Sequence, residues 1–103
     1  MPVTAVSGSA SGIGAAVCQA LRAAGHRVIG IDRANAEVIA DLSSASGRQA
    51  AISAVLEHCD GVLDGLVCCA GVGSSAVSDT IVSVNYFGVC ELLDGLADAL
   101  AKG

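Results

Sequence analysis

The residues best placed to do chemistry form one run, Ser7-Gly8-Ser9-Ala10-Ser11-Gly12-Ile13-Gly14, between an apolar stretch at residues 3–6 and a segment of helical period. A pyrophosphate is held by backbone N–H groups at a helix N-terminus, and it needs a chain with no Cβ in its way. Gly8 suits the tight turn, Gly12 the close approach and Gly14 the packing of the helix near the strand. Ser9, Ser11 and Ile13 complete the loop that would surround the phosphates. Three glycines alone are weak evidence. Their strand-loop-helix setting, with an acidic residue at the end of the next apolar run, makes the signal far more specific. The alternative is a glycine-rich turn that holds nothing.

Asp32 is that acidic residue. Its carboxylate would accept hydrogen bonds from both ribose hydroxyls of an adenosine and repel a 2′-phosphate, which favours NAD over NADP. Arg33 beside it softens that preference. The bland reading of Asp32 is a solvated carboxylate at a strand end.

These residues need a scaffold, and the sequence supplies one in order. Residues 3–6 read as a buried strand. From Ile13 the period becomes helical, with Ile13, Ala16, Val17, Ala20, Leu21 and Ala24 on one face, Ser11 as N-cap and Gly25 as the left-handed stop. Residues 28–31 form the second strand and residues 38–40 a weaker third, joined by a connection too short for a full crossover helix. Ser43 or Ser44 starts a helix with Ile52, Val55, Leu56 and Cys59 on one face, closed by Asp60-Gly61. Residues 63–70 are the fourth strand, and a long helix is expected over roughly residues 78–101, striped with Val89, Leu92, Leu93, Leu96 and Leu100. This is a β-α-β-β-α-β-α order, which predicts a single truncated Rossmann-like domain over residues 1–103. It would be an α/β doubly wound parallel sheet of about four strands in the order 3-2-1-4, with helices on both faces.

Composition removes several functions. The chain has 103 residues, of which 53% are hydrophobic and 15% charged, so it has the means to bury a core and does not resemble a disordered segment. A net charge of −5 argues against nucleic-acid or anionic-membrane partners. The N-terminal stretch carries neither a basic leader nor an uninterrupted apolar span, which suggests the cytoplasm. Five cysteines, Cys18, Cys59, Cys68, Cys69 and Cys90, lie in apolar stretches without a Cys-x-x-Cys pair and read as buried free thiols in a reducing compartment. Neither His26 nor His58 has a partner at metal-ligand spacing, so no metal site is expected. His26 reads as a surface residue and His58 as a cation at a helix C-terminus.

The spacing Gly-x-x-x-Gly-x-Gly resembles the short-chain dehydrogenase/reductase family, and further matches follow. Asp41-Leu42 looks like the family's acidic-apolar pair beside the adenine. Cys68-Cys69-Ala70-Gly71 stands where the family shows Asn-Asn-Ala-Gly, so Cys69, Ala70 and Gly71 would floor the cofactor site. Asn85, in Val84-Asn85-Tyr86-Phe87-Gly88, matches the helix asparagine that supports the active site. The phrasing of the chain looks closest to the bacterial 3α-hydroxysteroid dehydrogenase/carbonyl reductase branch. The resemblance implies a nicotinamide dinucleotide partner, a steroid or carbonyl substrate in a complete chain, and a homodimer, because the equivalent helix lies at a subunit interface in many relatives. Gly88 and Gly95, one heptad apart, would let a neighbouring helix approach.

The family's chemistry also needs a Ser and a Tyr-x-x-x-Lys, which this chain lacks. Tyr86 is the only tyrosine and the residue four later is Cys90; the only lysine is Lys102. Two readings therefore stand together. One is the NAD-binding portion of an oxidoreductase, without turnover of its own. The other is a standalone nucleotide-binding or self-associating structural module.

Overall fold

Val3–Ser7 (β1) is an interior strand of a four-stranded parallel sheet with Arg27–Asp32 (β2), Val38–Ile39 (β3) and Gly65–Cys68 (β4). The order is β3-β2-β1-β4, as the sequence predicts. The computed structural model describes residues 1–70 and 83–103. Among the described residues the helices are α1 (Gly12–Ala23), α2 (Ala45–His58) and α3 (Gly88–Lys102), the last preceded by a π-helical turn at Ser83–Phe87. The expected start of the long helix at Ser78 lies outside the described residues.

Register aligns the chemistry. Ser7 stands opposite Ile31 of β2 and Cys68 of β4, so the C-terminal ends of β1, β2 and β4 finish level beneath the glycine loop. Strand residues alternate faces. Val6 and Val28 meet Cys18 of α1 on one face. Ala5, Ile29 and Ile31 meet Ile52 and Val55 of α2 and Leu92 and Leu96 of α3 on the other. Helices thus cover both faces of the sheet.

Helix ends follow local chemistry. Gly25, at φ +90°, donates to the Arg22 carbonyl at 3.0 Å, and the His26 N–H donates to that of Leu21 at 2.9 Å. Those two bonds stop α1 with a left-handed glycine. The Ser44 hydroxyl accepts the Gly47 N–H at 3.0 Å and caps α2, whose exit runs through Asp60 and Gly61, both at positive φ.

Several expectations need correction. The inward face of α1 is Gly14, Val17, Cys18 and Leu21, and Ile13 is 78% exposed, because the helix lies along the sheet nearer its Gly14 side. Ser11 sits at the N-cap position, but its side chain makes no capping bond. On α3 the buried stripe is Gly88, Leu92, Leu96 and Ala99, and Leu93 is outside it. Gly95 faces α2 of the same chain: a Cβ there would come within 2.5 Å of Ile52 Cδ1. Only Cys18 and Cys59 are buried, while Cys68, Cys69 and Cys90 are half-buried; all five are free. His26 is not a plain surface residue, since its Nδ1 lies 3.0 Å from the hydroxyl of buried Thr4. No helix among the described residues is long and apolar enough to cross a membrane.

Candidate cofactor-binding site

At the C-terminal ends of β1, β2 and β4 lies an open cleft of about 360 Å³, within the range of sites for small organic ligands. Its floor and first wall come from the glycine loop: Gly8, Ser11, Gly12, Ile13 and Gly14. Gly8, at φ +71°, donates its N–H to the Ile31 carbonyl at 2.8 Å. A Cβ on it would stand 2.7 Å from the Ala70 nitrogen, so only glycine threads the loop between β2 and β4. Gly12, at φ +59°, opens onto empty space. Gly14 lies on the buried side of α1, where the helix meets the turn that follows β1. A Cβ there would overlap the Gly8 carbonyl oxygen, so this glycine seats the helix on the loop's own turn.

The start of α1 is electrically unsatisfied. Ser11 caps no N–H, and no acidic side chain lies in the first turn. The backbone donors of that turn, with the positive end of the helix dipole, face the cleft and suit an anion. By contrast, α2 has the Gly47 N–H of its first turn bonded to the Ser44 hydroxyl.

The opposite wall carries the carboxylates. Asp32 accepts the Ala10 N–H at 2.9 Å through Oδ2 and the Arg33 N–H at 2.7 Å through Oδ1. Arg33 is exposed at the cleft mouth. Asp41 accepts both the hydroxyl and the backbone N–H of Ser43 through Oδ1, at 2.6 and 2.9 Å. Those bonds, the hydroxyl first, hold its carboxyl below the usual carboxylate range, and the charge of Arg33 adds to the effect. Leu42 is buried beside it.

Cys69 and Ala70 close the site from β4. The Ala70 N–H reaches the Ser7 hydroxyl at 3.2 Å and the Cys69 N–H the Ser7 carbonyl at 3.0 Å, which pins the strand end to β1. Register puts Cys68 on the Ser7 side of the sheet, whereas Cys69 packs on the Val6 side. The adjacent thiols therefore point to opposite faces. Burial pushes the Cys68 and Cys18 thiols up, which keeps them protonated and poor nucleophiles.

Not every expected residue joins the cleft. Ser9 is tucked behind the loop, its hydroxyl buried where a Cβ on Gly30 would overlap it. Gly71 lies outside the described residues. Asn85 is exposed in the π-helical turn and is not among the residues that line the cleft. Sequence reasoning missed Ser43 and Ala40 in the wall, and Arg48 behind it. A serine two residues after an aspartate was a readable signal for a side-chain turn. Nothing in the sequence marks a lone arginine in a helix as buried.

A parallel sheet in this order, with a glycine loop feeding a bare helix N-terminus and a carboxylate at the end of β2, defines a dinucleotide-binding domain of Rossmann type. The chain belongs to the NAD dependent epimerase/dehydratase family, whose model matches residues 4–101. It is 54% identical over 104 residues to the 3-alpha-hydroxysteroid dehydrogenase/carbonyl reductase of Comamonas testosteroni. It is 38% identical to a coniferyl-alcohol dehydrogenase from a Pseudomonas strain. Among solved structures it superposes with a TM-score of 0.90 and 61% identity on the 3-alpha-hydroxysteroid dehydrogenase of Pseudomonas sp. B-0831, a complex with NADH, covering 98% of this chain and 43% of that one. The chain spans 40% and 39% of the length of the two curated relatives, against 100% and 95% of its own. The resemblance to short-chain dehydrogenases/reductases holds along the whole chain.

Proposed function

We propose that this chain is the NAD-binding portion of a short-chain oxidoreductase whose complete form acts on hydroxysteroid or carbonyl compounds. The observation that carries the reading is the uncapped N-terminus of α1 opening into the same cleft as the Asp32 carboxylate. The pyrophosphate would sit on the first-turn N–H groups, with Gly12 leaving room for it. The adenosine ribose would meet Asp32 and the adenine would lie against Asp41 and Leu42. Cys69 and Ala70 are assigned to the side toward the nicotinamide. When bound, the dinucleotide supplies hydride chemistry; this chain's residues bind and orient it.

NAD is preferred to NADP, because a 2′-phosphate beside Asp32 meets a fixed negative charge. The relatives named above, a hydroxysteroid dehydrogenase among them, support the substrate class. Five free thiols suit a reducing compartment, and the proposal places the protein in the cytoplasm. A symmetric homodimer is proposed through the outer face of α3, where Leu93 is 48% exposed.

Titration calorimetry of the 103-residue chain with NAD and NADP tests the reading. Saturable binding with NAD the tighter ligand is expected. Heat of dilution alone for both would remove it.

A further inference from the structure

Arg48 stands in the first turn of α2 and is only 7% exposed, although its guanidinium stays charged at any physiological pH. A buried cation persists only when its donors are paired. Here Nε donates to Glu91 Oε1 of α3 at 2.9 Å, and Nη1 donates to the Leu42 carbonyl oxygen at 3.0 Å. Leu42 and its neighbour Asp41 line the cleft. The residue before Arg48 reinforces the contact: a Cβ on Gly47 would overlap the Asp41 carbonyl oxygen, so the start of α2 is pressed directly on this wall.

An apolar side chain of similar volume would fill the same space without desolvating a charge, and such replacements are frequently neutral or stabilising. Packing therefore does not explain an arginine at this position. What the guanidinium adds is a planar fork whose two donors fix a backbone carbonyl relative to a carboxylate on another helix. The carbonyl it fixes belongs to the cleft wall, one residue from a carboxylate whose Oδ1 is already committed to Ser43.

We propose that Arg48, anchored by Glu91, is a positioning residue for adenine recognition: by holding the Leu42 carbonyl it sets where the Asp41–Leu42 wall stands. Asp41 then accepts from the exocyclic amino group of the base, and Leu42 packs beside the ring. The inference rests on the nucleotide-binding reading above. The ligand feature recognised is the amino group that distinguishes adenine from hypoxanthine.

The test compares AMP with IMP by calorimetry on the full chain and on Arg48→Met and Glu91→Gln, with thermal melting alongside. The unmodified chain is expected to bind AMP more tightly than IMP. Arg48→Met is expected to reduce that ratio about fivefold, the scale of one misplaced hydrogen bond, mainly by weakening AMP. Glu91→Gln, which keeps an amide oxygen for Nε, is expected to reduce it less. If the variants melt at lower temperature but keep the original AMP-to-IMP ratio, Arg48 is merely structural and the proposal fails. If Arg48→Met does not fold, Glu91→Gln decides by itself: a lowered ratio supports the proposal and an unchanged one overturns it. An unmodified chain that binds neither nucleotide sinks the nucleotide reading and this inference with it, an outcome distinct from binding with an unchanged ratio.

Discussion

Asp32 holds the glycine loop by its middle: its Oδ2 accepts the backbone N–H of Ala10 at 2.9 Å. The carboxylate that would select the ribose thus also shapes the phosphate loop. Asp32→Ala is expected to weaken NAD and NADP together, NAD more, so that the gap between them narrows. Asp32→Asn retains an oxygen for Ala10 but no charge. It should narrow the gap with a smaller common loss, on the order of threefold for the spared hydrogen bond. Calorimetric affinities for both cofactors check this. An unchanged NAD-to-NADP ratio in both variants would show that Asp32 does not select the cofactor.

The two structural glycines of the loop separate stability from binding. A methyl on Gly14 overlaps the Gly8 carbonyl, so Gly14→Ala must push α1 off its turn, an overpacking that costs about 1–3 kcal/mol. For a domain of this size each kcal/mol lowers Tm by roughly 4–8 °C. Gly12→Ala meets no atom within 4 Å and pays only the left-handed backbone cost, about 1–2 kcal/mol. Its methyl, however, stands where a phosphate would approach. Gly12→Ala is expected to fold and lose nucleotide binding, and Gly14→Ala to lose Tm first. Full NAD affinity in folded Gly12→Ala would contradict the assignment.

Part of this arrangement was legible in the sequence. The Gly25 stop and the Ser44 cap follow from local rules and the strand order from the likeness to a Rossmann-type sheet, and the structure carries all three. The α1 face was not readable to the residue. In a helix with four alanines among its twelve residues, small apolar positions occur on several sides, and only packing on the sheet selects Gly14 and Cys18. The same holds on α3, where Leu92 and Leu93 look alike in sequence and end on opposite sides of the burial line. Asp32 was visible from its place at the end of the second strand after a glycine loop, and Asp41 only through the family resemblance. Arg48 was not, since its partners Leu42 and Glu91 come from two other parts of the chain.

Asp41 gives a pH signature. Its folded carboxyl titrates below the ordinary range because Ser43 bonds the charged form. A depressed carboxylate contributes stability that is present above the unfolded value, near pH 3.9, and is lost as pH falls through the folded value. Ser43→Ala removes the hydroxyl, the largest cause, and should move the Asp41 titration up toward the ordinary range. The variant should then lose less stability on acidification than the unmodified chain. Carbon-detected NMR titration of the carboxyl reads the shift directly; an Asp41 curve identical in both proteins would remove Ser43 as its cause.

Catalysis by this chain alone is expected to be absent. Tyr86 is 61% exposed, its ring against Phe87 at 5.2 Å, and Cys90 rather than a lysine follows it by four residues. The lysine that the family places four residues after its tyrosine is missing from this sequence, and general acid-base catalysis of this kind contributes about 10²- to 10⁴-fold. NADH oxidation with a ketosteroid by the purified chain should match the protein-free rate. Turnover that disappears in Tyr86→Phe would reverse this reading.

The outer face of α3 should bring two chains together. Tyr86, Phe87 and Leu93 are 61%, 46% and 48% exposed, an apolar patch beside half-buried Val89 and Cys90. Patches of this kind on a helix mark contact surfaces. The buried stripe cannot serve: Leu92 and Leu96 are 1% and 0% exposed against the chain's own sheet and α2. Gly95 is likewise already used by Ile52. Leu96→Lys would therefore unfold the chain and say nothing about association, whereas Leu93→Lys changes only the outer face. A second route exists, because among the described residues β4 is an edge strand of the sheet, and the outer N–H and C=O groups of such a strand can template another. Sedimentation equilibrium across the micromolar range separates the outcomes. A dimer that dissociates on Leu93→Lys and on Phe87→Glu, with Tm unchanged, places the contact on α3. A dimer that survives both substitutions moves it to the β4 edge, and a strictly monomeric species ends the proposal of self-association.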